Sequence, residues 1–300
     1  MLTEIFFDVD DFCNIFEKEW SKRLLTEKSG KSFSSCLMSL SEIMTITIYF
    51  HLSNYRTFKH YYKDYVCKYL TKEFPRLLSY NRFVELMRDV SVALLFYLKY
   101  FKSGKCTSIS FVDSTKLVVC DNHRINQHKV FKDTAKRGKS SMGWFFGFKL
   151  HLVVNEIGDI INFTITPGNV DDRNRDVFKE LTKNLSGKLF GDKGYISKDL
   201  NDILKKKHIE LITKPKKNMK ARILPLIDKI LLRKRAVIET INDELKNICQ
   251  IEHSRHRSFD NFLANLFSGL IAYSFKHHKP SINFSKKELE LLGNLPAMAF

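Results

Sequence analysis

Six cysteines stand at positions 13, 36, 67, 106, 120 and 249, and no two of them form a CxxC pair. That spacing excludes a zinc ribbon or finger and a disulfide framework, and it fits reduced thiols in a reducing compartment. No apolar run is long enough to span a bilayer, which excludes a membrane partner of that kind. The opening residues, with Glu4, Asp8, Asp10 and Asp11, lack the basic start of a secretory signal, so the expected location is the cytoplasm. No internal repeat or low-complexity tract stands out. Acidic side chains are in deficit: 33 Asp and Glu against 50 Lys and Arg leave a formal net charge of +17. Such an excess is unusual for a small-molecule enzyme and points to a polyanionic partner, most often nucleic acid. What is present is a foldable chain, since 44% hydrophobic and 13% aromatic residues argue against disorder. Three hundred residues allow one large domain or two modest ones.

Residues 1–105 read as an all-helical domain. Ser39-Leu40-Ser41-Glu42 is a capping sequence for a helix carrying Ile43, Ile46 and Ile48. A polar break over 51–56 and a basic, aromatic segment from Thr57 to Lys63 have the form of a helix-turn-helix that would hold DNA ends, with an ordinary helical hairpin as the alternative. Phe74-Pro75 interrupts the run, Ser79 starts a further helix through Tyr97, and residues 102–105 read as a linker.

A second domain is expected over 106–280, followed by a tail, 281–300. Residues 108–119 form a strand-like run with Asp113 in its middle, where an ionised carboxylate is costly unless paired or bound to metal. Residues 121–143 read as a basic loop that includes Arg137 and Lys139 and would suit phosphate contact. Gly147–Val154, a turn at 155–159 and Ile160–Ile165 make a β-hairpin, with His151 filling a core position. Asp171 or Asp172 would cap a helix from Arg173 to Leu185. A short strand ends at Gly191-Asp192-Lys193-Gly194, whose glycines admit a close approach by a ligand or another backbone. Ser197 would cap a helix to Lys207, Ile209–Thr213 is a strand, and Lys214–Arg222, with Lys216 and Lys217, is strongly basic. After Pro225 comes a two-faced helix: Ile238, Ile241, Leu245 and Ile248 on an apolar stripe, Arg235, Glu239, Asn242 and Lys246 on another face. Three antiparallel strands followed by two parallel crossovers is a ribonuclease H-like layout: an α/β domain with a mixed five-stranded sheet and flanking helices, preceded by an all-α N-terminal domain. In that layout Asp113 and Asp192 are neighbours and the closing helix brings in Glu239.

Phe111-Val112-Asp113-Ser114-Thr115, Gly143–His151, Thr166–Asp172, Gly191-Asp192-Lys193-Gly194-Tyr195 and the Glu239 helix together resemble the DDE transposases of bacterial insertion sequences, most closely the insertion sequence 982 family. The resemblance covers nearly the whole chain. It implies cleavage at element ends and strand transfer into target DNA, with Asp113, Asp192 and Glu239 as the catalytic, metal-holding triad. Two Mg²⁺ ions are the expected cofactors, with Mn²⁺ as a substitute, because hard cations suit carboxylate and phosphate oxygens. Lys193, Arg235 and Lys246 would contact phosphates; Arg235 and Lys246 fit a signature of related groups in which Leu232 stands where a tyrosine would be. Trp144 is a candidate for stacking on an unpaired base, although beside Phe145 and Phe146 a core position is the commoner outcome. The expected partner is double-stranded DNA, bound by a homodimer in the active complex. The short interval from Asp192 to Glu239 leaves no room for an inserted β-domain. Two rival readings stay open: a nuclease without strand transfer, and a DNA-binding regulator without catalysis.

Overall fold

A computed structural model of the chain describes residues 1–27, 37–140, 143–215, 219, 223–252 and 256–293. In chain order the elements are helices α1 (Leu2–Glu27), α2 (Leu40–Phe50), α3 (Phe58–His60), α4 (Cys67–Tyr69), α5 (Tyr80–Asp89) and α6 (Ser91–Tyr100). Strands β1 (Ile109–Cys120), β2 (Lys136–Ser140), β3 (Gly143–Asn155) and β4 (Ile160–Pro167) follow, then α7 (Arg175–Leu181), β5 (Gly187–Phe190), α8 (Lys198–Lys206) and β6 (Ile209–Ile212). Helices α9 (Leu226–Lys234), α10 (Ala236–Asn247), α11 (Phe259–Ser274) and α12 (Lys286–Gly293) complete it. The chain divides into two compact units: residues 1–102, 128–132 and 244–276 in the first, and 103–127, 133–243 and 277–300 in the second.

The first unit is helical and built around two helices without a solvent face. Along α2 the side chains of Leu40, Ser41, residues 43–48 and Phe50 are all buried, and the helix opens on a complete capping box between Ser39 and Glu42. Helix α11, capped by Ser258, is buried almost end to end and packs on α2 and α6. A helix hydrophobic all round must lie inside. Residues 244–276 therefore belong with the N-terminal helices, although their place in the sequence suggested the sheet domain. Between α2 and α5 the basic aromatic segment is a helix interrupted by a π-helical stretch, Tyr61–Val66. Its Tyr61 and Tyr62 hydroxyls donate to the Ile46 and Leu78 carbonyls at 3.1 and 2.7 Å, while Lys59, Lys63 and Lys68 face outward. The helix expected to run from Ser79 to Tyr97 is two helices, α5 and α6, that meet at Val90.

The second unit is a mixed sheet with helices on its faces. β1 pairs antiparallel with β3 and parallel with β5, β5 pairs parallel with β6, and β4 pairs antiparallel with β3. Leaving out β2, the order is β4-β3-β1-β5-β6, the ribonuclease H-like arrangement. The sheet has six strands and not the expected five, because Lys136–Ser140, read as loop, pairs with Gly143–Gly147. An alternating basic segment lacks the apolar signal of a strand; its partner β3 makes it one. Val112 of β1 and Val153 of β3 pair in register and pack in one cluster with Phe178 and Leu181 of α7 and Leu200 and Leu204 of α8. Between Asp192 and Glu239 the described residues hold only a short 3₁₀ turn, α8, β6, α9 and the start of α10.

Candidate active site

Strand alternation places the acids. Because Val112 and Val153 face α7 and α8, their neighbours Asp113 and Leu152, also paired, face the other side of the sheet. Phe111 and Phe190 lie on that other side, paired in the parallel ladder with their rings stacked at 5.4 Å. Two residues beyond each phenylalanine stand Asp113, within β1, and Asp192, just past the end of β5, at the same offset along the chain. Gly191 makes this possible: a Cβ there would press on Val112 Cγ1 and Tyr195 Cδ2 at 3.1 and 3.2 Å.

Helix α10 meets this face of the sheet. Ile238, Ile241 and Leu245 are its buried stripe, as the periodicity requires; Ile248, past the helix end, is exposed, and Cys249 and Ile251 are buried in its stead. Asn242 Nδ2 donates to Asp113 Oδ2 at 3.0 Å. Glu239, one turn earlier, is exposed at its carboxylate and accepts from Arg235 at 2.5 Å. Arg235 sits at the break between α9 and α10. Burial pushes the Asp113 carboxyl up to about 6, against the pull of Arg235; the charges of Glu239 and Asp172 add to the rise.

The far side of the sheet carries a network that periodicity missed. Lys149 donates to Asp172 Oδ1 at 3.0 Å and to the Val170 carbonyl at 2.9 Å. His151 is fully buried as expected, with Nε2 2.9 Å from Thr166 Oγ1, and burial lowers its pKa to about 4 although Asp172 opposes this. Neither Asp171 nor Asp172 caps α7. Asn174 does, Asp171 being held by Arg173 through the backbone N–H and two guanidinium bonds, and Asp172 by Lys149. Arg173 and Lys149 out-compete the weaker backbone donors for the two carboxylates.

The remaining candidates are dispersed. Lys193 is exposed beside Asp192. Lys246 belongs to the first unit, where its ammonium pairs with Glu252 at 3.3 Å. Lys216 and Lys217 lie outside the described residues. Trp144 is not a core aromatic: 55% of it is exposed, whereas Phe145 and Phe146 are buried. Its strand register explains this, since Trp144 pairs with Lys139 on the outward side of β2 and β3, with Arg137 and Lys139 at 5.5 and 5.7 Å from its ring. Asn122 Nδ2 fixes the Trp144 carbonyl at 2.8 Å.

The residues at Asp113 fit a divalent cation in kind. Carboxylates are hard oxygen donors, and the Arg235 guanidinium that pairs with Glu239 also acts on the Asp113 carboxylate. The buried Asn242 Oδ1 beside them has no hydrogen-bond partner. Among the described residues no three His, Cys, Asp or Glu side chains are gathered closely enough to hold a metal, and Glu239 is paired with Arg235.

A family model described as a transposase DDE domain matches residues 103–259, just over half of the 300 residues. No curated protein matches the chain. Similar solved structures are the Mos1 strand transfer complex (12% identity, 87% of each chain, TM-score 0.23) and the Mos1 transposase paired-end complex with left transposon end (12% identity, 86% of this chain and 84% of that one, TM-score 0.22). The Mos1 mariner paired end complex with Mn is 13% identical over 87% of this chain and 88% of that one, with TM-score 0.23. Superpositions this loose transfer no residue from those proteins to this chain.

Proposed function

Because the chain belongs to the DDE transposase family, we propose that it cuts DNA at the ends of an insertion sequence, of the insertion sequence 982 type, and joins those ends to target DNA. The observation that supports the assignment of its site is the equal offset of Asp113 and Asp192 beyond the stacked Phe111–Phe190 pair, with Asn242 of α10 bonded to Asp113 one turn from Glu239. Asp113, Asp192 and Glu239 would hold two divalent cations, Mg²⁺ by donor chemistry and Mn²⁺ as substitute, which when bound supply an activated oxygen nucleophile and stabilise the leaving 3′-oxygen. Glu239 joins that set by giving up its pairing with Arg235, and the freed guanidinium is then available for a phosphate of the bound strand. Lys193, exposed next to Asp192, positions the backbone at the cut, a contact without sequence readout. Arg137 and Lys139 grip phosphates along the β2–β3 hairpin, and the exposed Trp144 between them offers a ring to an unpaired base. Lys246, Lys216 and Lys217 are further candidates for phosphate contact by residue type.

We assign end recognition to the helical region, 1–105, whose outward Lys59, Lys63 and Lys68 present charge to DNA. The catalytic part is the second unit, 103–127, 133–243 and 277–300, in place of a continuous 106–280 domain with a 281–300 tail. Two element ends in one complex require at least two copies of the chain, a homodimer. The test is cleavage of a labelled duplex carrying the element end, with wild type, Asp113→Asn and Glu239→Gln compared in Mg²⁺, Ca²⁺ and EDTA. The proposal expects nicking at the boundary and joining to target by wild type with Mg²⁺ only, while all three proteins bind. Variants that cut as well as wild type would remove these acids from the mechanism. Cutting without joining would make the protein a nuclease, and binding without any cutting a regulator.

A further inference from the structure

Asn242 is 7% exposed, and its amide nitrogen lies 3.0 Å from Asp113 Oδ2. The orientation of the amide is chemically required, because its oxygen turned toward a carboxylate oxygen would meet two acceptors and no proton. The other end of the same amide, Oδ1, is buried without a hydrogen-bond partner. A buried amide satisfied at one end only is unfavourable for folding, and a helix interior favours alanine over asparagine. Stability alone does not account for this side chain.

We propose that Asn242 is a positioning residue for the metal site, an inference that rests on the assignment of Asp113 as a metal ligand. Its N–H pins Asp113 Oδ2 and, with the backbone hydrogen bond that the carboxylate accepts from Ser114, holds that carboxylate in one rotamer. Asn242 and Glu239 are three residues apart on α10 and lie on neighbouring positions of its surface, so one rigid helix sets the orienting group and the third acid together. Groups that orient a metal's ligands typically change metal affinity 10- to 100-fold when removed.

The test uses the full chain and Mn²⁺ as probe, with affinity read by calorimetric titration and the unfolding midpoint recorded in metal-free buffer. Wild type, Asn242→Ala, Asn242→Leu and Asp113→Asn are compared. The expected result is a loss of Mn²⁺ affinity of about tenfold or more in both Asn242 variants, an unfolding midpoint equal to or above wild type for Asn242→Ala, and abolished binding in Asp113→Asn. Unchanged Mn²⁺ affinity in both Asn242 variants, with binding abolished in Asp113→Asn, overturns the role of Asn242 and leaves the acid site standing. A lowered midpoint with unchanged affinity marks a structural residue and also overturns it. Unchanged binding in Asp113→Asn removes the metal site itself and this inference with it.

Discussion

Arg235 and Glu239 form a pair that matters little for folding and, under the proposed function, much for chemistry. An i,i+4 ion pair on a helix contributes about 0.3–0.5 kcal/mol, and the Glu239 carboxylate is more than half exposed. Arg235→Ala is therefore expected to leave the unfolding midpoint within a degree or two and to lower end cleavage at least tenfold, as single-turnover nicking would measure. His51 behaves in the opposite way. It is buried in the first unit with Nδ1 2.5 Å from the Cys249 carbonyl, and burial lowers its pKa from 6.5 to about 4. The unfolded chain binds a proton at pH values where the folded one does not. Stability is thus intact above pH 6.5, drains as pH falls, and levels off below 4, by about 3 kcal/mol in all. Denaturant titrations between pH 7 and 4 should show this slope, and it should flatten in His51→Asn.

The elements that hold the site depend on a few non-local contacts. Asp228 of α9 is 2% exposed and its partner Lys188 of β5 donates to it at 2.7 Å. Lys188→Met strands a buried carboxylate and should cost about 3 kcal/mol, the low end for a buried pair because Lys188 is itself a third open to water. Adding Asp228→Leu should recover most of that loss, and a denaturant double-mutant cycle measures it. At Gly147, where β1 shifts register, a Cβ would stand 2.0 Å from the Leu117 carbonyl oxygen. Gly147→Ala is expected to separate β1 from β3 near Trp144 and to reduce soluble yield, while Asp113, farther along the same strand pair, keeps Leu152 as its partner.

At the scale of the molecule, the +17 charge sets how DNA is held. Each phosphate neutralised releases counterions and adds about 0.9 to the slope of log affinity against log salt. Arg137→Ala and Lys139→Ala should each reduce that slope by about one, with little effect on sequence preference, in fluorescence titrations from 50 to 200 mM salt. Trp144→Ala should instead weaken binding to gapped or frayed duplexes more than to intact ones, and leave the slope unchanged.

Local chemistry carried much of this protein in its sequence. The capping box at Ser39, the apolar stripe of α10 and the hairpin of β3 and β4 follow from side chains close to one another in the chain. Asp113 and Asp192 likewise stand out locally as isolated acids at apolar runs, and their catalytic role is the proposal made above. Tertiary structure decided what depends on distant partners. β2 exists because β3 offers it a ladder, α11 lies with the N-terminal helices because none of its faces tolerates water, and Trp144 is exposed because its strand parity points outward. Asp172 was taken from a helix cap by Lys149, 23 residues earlier, and Asn242 was drawn to an aspartate 129 residues away. Periodicity states which face a residue shares; only the folded chain states what that face meets.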